Sequence, residues 1–248
     1  MSFLQSLFTR SQVRATVLRA ENITPRMRRL ALGGVAIADW LQANAASVNK
    51  PAAWVKVTLD GRSGRGYTLR RVDTEVGVID LDFVLHGEGE GKGTVSDWAR
   101  LTRPGDAVEI QGPRNGGFQL FADSRWFWLA ADATALPAVA RILEVLPANI
   151  EAHVFLVIHD SAERQPLNSL ARLQVEWGYS TVPQRDCIPA VRPLTQSPDL
   201  AMPGQVWIAG EADWVKSWRA FWLNERHQDR RYVNAKGYWK AGERGHRG

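Results

Sequence analysis

The sequence predicts two domains, an N-terminal antiparallel β-barrel and a C-terminal α/β domain with a parallel sheet. Short alternating strands separated by turns fill the first half, whereas continuous apolar strands alternate with helices in the second half. A length of 248 residues is sufficient for two modest domains. We therefore expect one domain at 12–122, a second at 123–242 and a flexible tail at 243–248.

The composition narrows the class of protein. Hydrophobic residues make up 45% and charged residues 23%, a globular balance that argues against disorder. The net charge of +5 favours anionic partners, but Lys and Arg form no long run, so we do not expect nucleic acid. The single cysteine, Cys187, and dispersed histidines favour a reducing compartment and give no metal-ligand spacing. Without a signal-peptide core or an apolar run of about 18 residues, we expect a cytoplasmic protein and no membrane span.

The strands of the first half follow one another with clear breaks between them. Alternation of apolar and polar residues predicts strands at 12–20, 26–32, 54–59, 65–70 and 78–86, and a closing strand near 108–113. Turn signals occur at Thr24-Pro25, Gly33-Gly34 and Asp60-Gly61. Few helix signals interrupt this region, which is typical of a small barrel.

The fourth of these strands has an unusual composition. Alternation sends its side chains to two faces, with Arg65, Tyr67 and Leu69 on one and Gly66, Thr68 and Arg70 on the other. A ring, a hydroxyl and two guanidinium groups suit a cofactor with a flat ring and a pyrophosphate. On these residues alone, an edge strand with a core tyrosine and solvated arginines explains the pattern equally well.

Two further segments of the first half suggest ligand contacts. His86-Gly87 ends the fifth strand, where a simple turn is the alternative. A glycine-rich turn at 91–93 then enters a helix near Ser96, and free amides at such a helix start bind anions. An N-cap serine without a ligand is the commoner meaning of this pattern.

The second half alternates strands and helices. We expect strands at 126–131, 152–158 and 205–209, and helices from Leu136, over Leu167 to Trp177, and after Ala212. Aromatic residues recur at helical spacing in the last helix: Trp214, Trp218, Phe221 and Trp222. In a doubly wound sheet, ligand chemistry belongs at the carboxyl ends of the strands.

Two strand ends and the tail therefore become candidates. Asp132 and Thr134 follow one buried strand, and Gly210-Glu211 follows another, although Asp and Thr also cap helices without any ligand. No G-x-G-x-x-G fingerprint is present. Tyr238 and Trp239 would be core aromatics on composition alone.

These segments together resemble the siderophore-interacting protein family. The resemblance covers roughly 12–242 and rests on Arg65-x-Tyr67-Thr68-x-Arg70, the stretch 82–87, Gly93-Thr94-x-Ser96, 132–138, Ala209-Gly210-Glu211 and Gly237-Tyr238-Trp239-Lys240-x-Gly242. The chain departs from the family at Thr94-Val95, where Pro-Ala is usual, and at Ala133, where an acid is usual.

The resemblance implies a ferredoxin-reductase-like fold and a ferric-siderophore reductase. FAD would take electrons from NADPH, NADH or reduced ferredoxin and pass them to siderophore-bound Fe(III), with no acid–base or nucleophilic residue required. The implied flavin-binding residues are Arg65, Tyr67, Thr68, Arg70, Val84, His86, Gly93, Thr94, Ser96 and Trp239. Asp132, Thr134, Gly210 and Glu211 would lie on the electron-donor side. We further expect Arg70, Arg71 and Lys240 to attract the anionic chelate, because they adjoin these motifs.

Two alternatives stay open beside the ferric-siderophore reductase. One is another flavin reductase of the same superfamily, which passes electrons to a protein or to free flavin. The other is a protein that holds a siderophore or a flavin without turnover.

Overall fold

The structure is a computed structural model that describes residues 12–59, 64–85, 95–180 and 201–243. The chain divides into two compact units. The first unit comprises Met1–Ile23 and Arg28–Asn115, and the second comprises Thr24–Met27 and Gly116–Gly248.

The first unit contains a closed six-stranded barrel, which confirms the predicted antiparallel barrel. Its strands are β1 (Gln12–Thr24), β2 (Met27–Gly33), β3 (Trp54–Thr58), β4 (Arg65–Asp73), β5 (Val78–Val84) and β6 (Ala107–Arg114). They are hydrogen-bonded in the order β1-β2-β5-β4-β3-β6, so that closure removes the sheet edges. Alternate residues of β5, namely Ile79, Leu81 and Phe83, point into the fully buried core.

Three described helices accompany the barrel: α1 (Val35–Ala43), α2 (Ala45–Val48) and α3 (Val95–Leu101). The sequence indicated only the last of them. In α1, Ile37, Trp40 and Leu41 are buried at helical spacing. The Trp40 indole donates a hydrogen bond to the carbonyl oxygen of Gly112 at 3.0 Å, which satisfies its polar atom inside the barrel core.

The second unit contains the predicted parallel sheet. Its strands are β7 (Trp126–Asp132), β8 (Glu151–Ile158), β9 (Arg172–Tyr179), β10 (Gly204–Glu211) and β11 (Val233–Trp239). The order is β11-β10-β7-β8-β9, and every described pair is parallel. Two helices follow strands at the carboxyl edge, α4 (Leu136–Leu143) after β7 and α5 (Ala212–Ala220) after β10. No helix in the described part of the chain is long and apolar enough to span a membrane.

The helix expected over Leu167 to Trp177 is wrong. The chain instead forms β9, in which Leu173 lies opposite Ala152 and Tyr179 opposite Ile158 of β8. Val175, Trp177 and Tyr179 are strong strand formers, and pairing with β8 satisfies backbone groups along the whole segment. Tertiary pairing therefore decides the structure here.

A cluster of indole rings covers one face of the sheet in the second unit. The helix α5 continues into a π-helical turn at Phe221–Glu225, and Trp218 and Trp222 from this region meet Trp126 and Trp128 of β7. Ring centroids are 4.7 Å apart for Trp128–Trp218, 5.1 Å for Trp128–Trp222 and 5.7 Å for Trp126–Trp222. These tilted and stacked contacts bury large areas and fix the helix on the sheet.

Candidate cofactor and electron-transfer sites

A row of three aromatic rings packs in and against the barrel core. The Tyr67 ring of β4 lies 4.1 Å from the Phe83 ring of β5, and Phe83 lies 6.1 Å from Trp98 of α3. Burial raises the pKa of Tyr67, so the phenol stays a neutral hydrogen-bonding group at neutral pH. Phe83 and Trp98 were not among the predicted site residues.

A bulge interrupts the predicted alternation of β4. The pairing with β5 shifts between Leu69 and Arg71, so Arg70 is the extra residue of the bulge, and Thr68 and Leu69 are buried in succession. Thr68 is only 5% exposed, and its hydroxyl has no hydrogen-bond partner among the described residues. An unpaired buried hydroxyl lowers the stability of the protein. A ligand that forms a hydrogen bond with Thr68 would remove this cost, and a ring heteroatom could do so.

The arginines of β4 extend beyond this bulge. Arg65 and Arg71 are exposed, Arg70 is half-buried, and Arg71 lies opposite Asp80 in the pairing with β5. Gly66 lies against the Trp54 indole, so that a methyl group at this position would be 3.0 Å from the ring. The guanidinium groups of Arg65 and Arg71 are accessible to anions, whereas Thr68 and Leu69 between them are buried.

Ser96 connects the start of α3 to the end of β5. Its hydroxyl donates to the carbonyl oxygen of Val84 at 2.9 Å, and its side chain is buried. Because Phe83 also contacts Trp98 of α3, the structure brings Tyr67, Val84 and Ser96 to one region of the barrel. The remaining candidates of this group, His86, Gly93 and Thr94, lie outside the described residues.

Asp132 is the centre of a hydrogen-bond network at the carboxyl edge of the second unit. It is 2% exposed. Its Oδ1 accepts from the amide and the hydroxyl of Thr134 at 2.8 and 2.5 Å. Its Oδ2 accepts from the Glu211 amide at 2.8 Å and from the Trp239 indole at 2.9 Å. Burial raises the pKa of Asp132, while these hydrogen bonds act in the opposite direction.

Glu211 and the tail complete this edge. The Glu211 carboxylate caps α5 by accepting from the amides of Asp213 and Trp214 at 2.8 and 2.9 Å. It also accepts from the amide of Ala241 at 3.2 Å. Lys240 pairs with Glu243 at 2.8 Å, and this contact is the main cause that raises the pKa of Lys240. Glu243 was not among the predicted residues, although its spacing of three residues from Lys240 is typical of an ion pair.

Comparison with protein families gives two matches. A model described as siderophore-interacting FAD-binding domain matches residues 47–117, and one described as siderophore-interacting protein matches residues 124–242. The chain belongs to the siderophore-interacting protein family. The two matches cover one unit each, which agrees with the division of the fold.

Individual relatives of this siderophore-interacting protein point the same way. Ferric vibriobactin reductase ViuB of Vibrio cholerae is 28% identical over 183 residues, which are 72% of this chain and 65% of that protein. A siderophore utilization protein from T. fusca superposes with a TM-score of 0.76 and 29% identity, over 96% of this chain and 95% of that one. This chain spans less than two thirds of the length of these curated relatives.

A more distant structure defines the fold class of this siderophore-interacting protein. Phthalate dioxygenase reductase superposes with a TM-score of 0.62 at 18% identity, over 92% of this chain and 68% of that one. The fold is therefore ferredoxin-reductase-like, as expected from the sequence.

Proposed function

We propose that the chain is an FAD-dependent reductase of ferric siderophores. The observation that carries this proposal is the buried Thr68 hydroxyl, which has no hydrogen-bond partner among the described residues, in the unit matched by a FAD-binding domain of this family. A ring-shaped ligand with hydrogen-bonding heteroatoms would satisfy that hydroxyl. The relative named ferric vibriobactin reductase supports the same reaction class.

The barrel residues would hold the cofactor, with the FAD domain at 12–122. Tyr67 and Thr68 would contact the flavin ring, together with Val84 and His86. Arg65 and Arg70 of β4 would bind diphosphate oxygens, because guanidinium groups bind them in bidentate fashion. Gly93, Thr94 and Ser96 would supply amides at the start of α3, since the Ser96 hydroxyl already donates to Val84. Bound FAD would supply the redox chemistry by accepting two electrons and releasing them one at a time.

The second unit, with the domain at 123–242, would receive the electron donor. A pyridine nucleotide, NADPH or NADH, is the donor we favour, and reduced ferredoxin is the alternative. Such a donor would approach the carboxyl edge that carries Asp132, Thr134, Gly210 and Glu211, because ligands of open parallel sheets bind there. Trp239 ends β11 at the same edge.

The substrate would be an anionic ferric siderophore. A net charge of +5 and the exposed Arg71 favour its approach, and Lys240 is the second candidate for attracting it. Reduction to Fe(II) weakens the hold of hard oxygen ligands, so iron is released. The single cysteine supports the cytoplasm as the compartment.

A two-step stopped-flow experiment tests the proposal. The purified protein loaded with FAD is mixed with NADPH or reduced ferredoxin, and loss of the flavin absorbance is followed. A second mixing with ferric siderophore should restore the absorbance. Bleaching without recovery would indicate another flavin reductase, and a protein that stays colourless with added FAD would indicate a binding protein without turnover.

A further inference from the structure

The carboxylate of Asp132 is saturated by protein donors. An ionised carboxylate offers about four lone-pair positions. Asp132 uses two for the amide and hydroxyl of Thr134 and two for the Glu211 amide and the Trp239 indole, all at 2.5 to 2.9 Å. No acceptor position is left over for the ribose or amide groups of a nucleotide.

Glu211 is engaged in a similar way. Its carboxylate binds three backbone amides, those of Asp213, Trp214 and Ala241, at 2.8 to 3.2 Å, and the residue is buried. Two of these bonds cap α5, and the third fixes the chain just after Lys240. An ionised carboxylate here would also repel the phosphates of a nucleotide.

Gly210, the residue of β10 that precedes Glu211, is required for this network. Gly210 has φ of +149°, and a Cβ atom there would lie 2.5 Å from Oδ2 of Asp132. The segments around Asp132 and around Gly210-Glu211 therefore act together. They hold Trp239 and the backbone of residues 240–242 in a fixed position. Trp239 and Lys240 are themselves only half-buried, so they present groups that a ligand can reach.

We propose that Asp132 and Glu211 are positioning residues of the reductase, which act through Trp239 and the backbone of residues 240–242 and do not contact the nucleotide or the chelate. This inference rests on the proposed function. It predicts that removing the acceptor at Asp132 and removing the donor at Trp239 disturb the same step. If Asp132 instead bound a nucleotide directly, substitutions at Asp132 and at Trp239 would affect different steps.

The first test reads the indole hydrogen bond without any reaction. Eleven tryptophans give eleven indole N–H signals in a ¹⁵N-correlated NMR spectrum, and Trp239→Phe identifies one of them. In Asp132→Asn we expect exchange of this proton with solvent to accelerate about tenfold or more, because asparagine keeps only one of the two oxygens that now accept from four donors. The Trp126 indole, which donates to the Met202 carbonyl at 2.8 Å, is the internal reference and should not change.

A capping aspartate elsewhere in the unit provides the matched control. Asp229 accepts from the Arg231 amide at 3.0 Å, and Asp229→Asn should leave the Trp239 signal unchanged. Unaltered exchange in Asp132→Asn, or an equal change in Asp229→Asn, would overturn the positioning role.

The second test is a double-mutant cycle on the FAD-loaded protein. The protein is reduced with dithionite, and its single-turnover oxidation by ferric citrate is followed. We expect Asp132→Asn and Trp239→Phe each to slow this step, Asp132→Asn by about tenfold, since small misplacements are costly. The double variant should be no slower than the slower single variant. Multiplying effects would mean that Asp132 acts independently and would overturn the inference.

Binding of NADP⁺, measured by calorimetry, separates the remaining possibilities. The affinity should agree within about twofold between the wild type and Asp132→Asn, because one tenfold step in affinity already equals a lost hydrogen bond. A loss of affinity in Asp132→Asn that Trp239→Phe does not share would overturn the inference. If the wild type fails to reduce ferric citrate or any ferric siderophore, the proposed function fails, and the indole exchange still decides whether Asp132 positions Trp239.

Discussion

Replacement of Thr68 by valine should have opposite effects on the apoprotein and on flavin binding. Thr68 is 5% exposed and its hydroxyl has no partner among the described residues, so the apoprotein bears the cost of an unsatisfied buried group. Such a group costs about 1–3 kcal/mol, and valine has the same shape without it. We expect the free energy of unfolding of the apoprotein to rise by about 1 kcal/mol. The lost hydrogen bond to the ring should weaken FAD binding by about two- to tenfold.

Urea denaturation followed by far-ultraviolet circular dichroism measures the stability, and quenching of flavin fluorescence measures the affinity. Thr58→Val is the matched control, because Thr58 is a buried threonine of the same barrel whose hydroxyl donates to the Glu109 carbonyl at 3.4 Å. That variant should lose stability and keep its affinity for FAD. A Thr68→Val apoprotein that is less stable than the wild type, with unchanged FAD affinity, would refute the reasoning.

Three further predictions concern charge and backbone strain. Burial raises the pKa of Asp80, so its ionised form destabilises the fold. Asp80→Asn should therefore raise the melting temperature at pH 7, measured by scanning calorimetry. The gain should vanish below about pH 4, where the carboxyl group is protonated in both the folded and the unfolded state. Gly210→Ala should cost about 3 kcal/mol in urea unfolding, whereas Gly242→Ala, with φ of +81° and open space around its Cβ, should cost only about 1 kcal/mol; equal losses would contradict this. Glu243→Gln frees Lys240 from its 2.8 Å partner, so KM for an anionic ferric chelate should fall about two- to threefold below the wild-type value at low salt. This difference from the wild type should disappear at high salt. An unchanged KM at low salt would exclude Lys240 from substrate attraction.

The class of each unit followed from periodicity in the sequence. Alternation over 12–20, 54–59 and 78–86 indicated the barrel, and continuous apolar runs such as 126–131 indicated a buried parallel sheet. These patterns are local consequences of burial, so they can be detected without knowing the partner strands.

The errors came from features that only tertiary contacts decide. Residues 167–177 contain apolar positions compatible with a helix, but β8 provides a pairing edge, and the strand formers Val175, Trp177 and Tyr179 take it. The bulge at Arg70 depends on the registers of β4 with its neighbour, which alternation along one strand cannot indicate.

The sequence indicated the residue types at the candidate site, whereas their roles stay predictions. Tyr67 is half-buried and Thr68 is buried, and their contact with a ring ligand stays a prediction. Asp132 and Glu211 instead spend their oxygens on protein donors, and the indole of Trp239 is one of them. Acid side chains at strand ends have the same appearance in a sequence whether they bind a ligand or hold a loop, because only the donor positions distinguish the two.

The indole cluster of the second unit has a practical consequence for spectroscopy. Only Trp40, Trp54 and Trp98 of the eleven tryptophans belong to the first unit, while Trp126, Trp128, Trp214, Trp218 and Trp222 lie in or beside one cluster. Intrinsic emission during denaturation will therefore report mainly on the unit that carries the parallel sheet. Unfolding of the barrel will change this emission only slightly, so each unit needs its own optical probe.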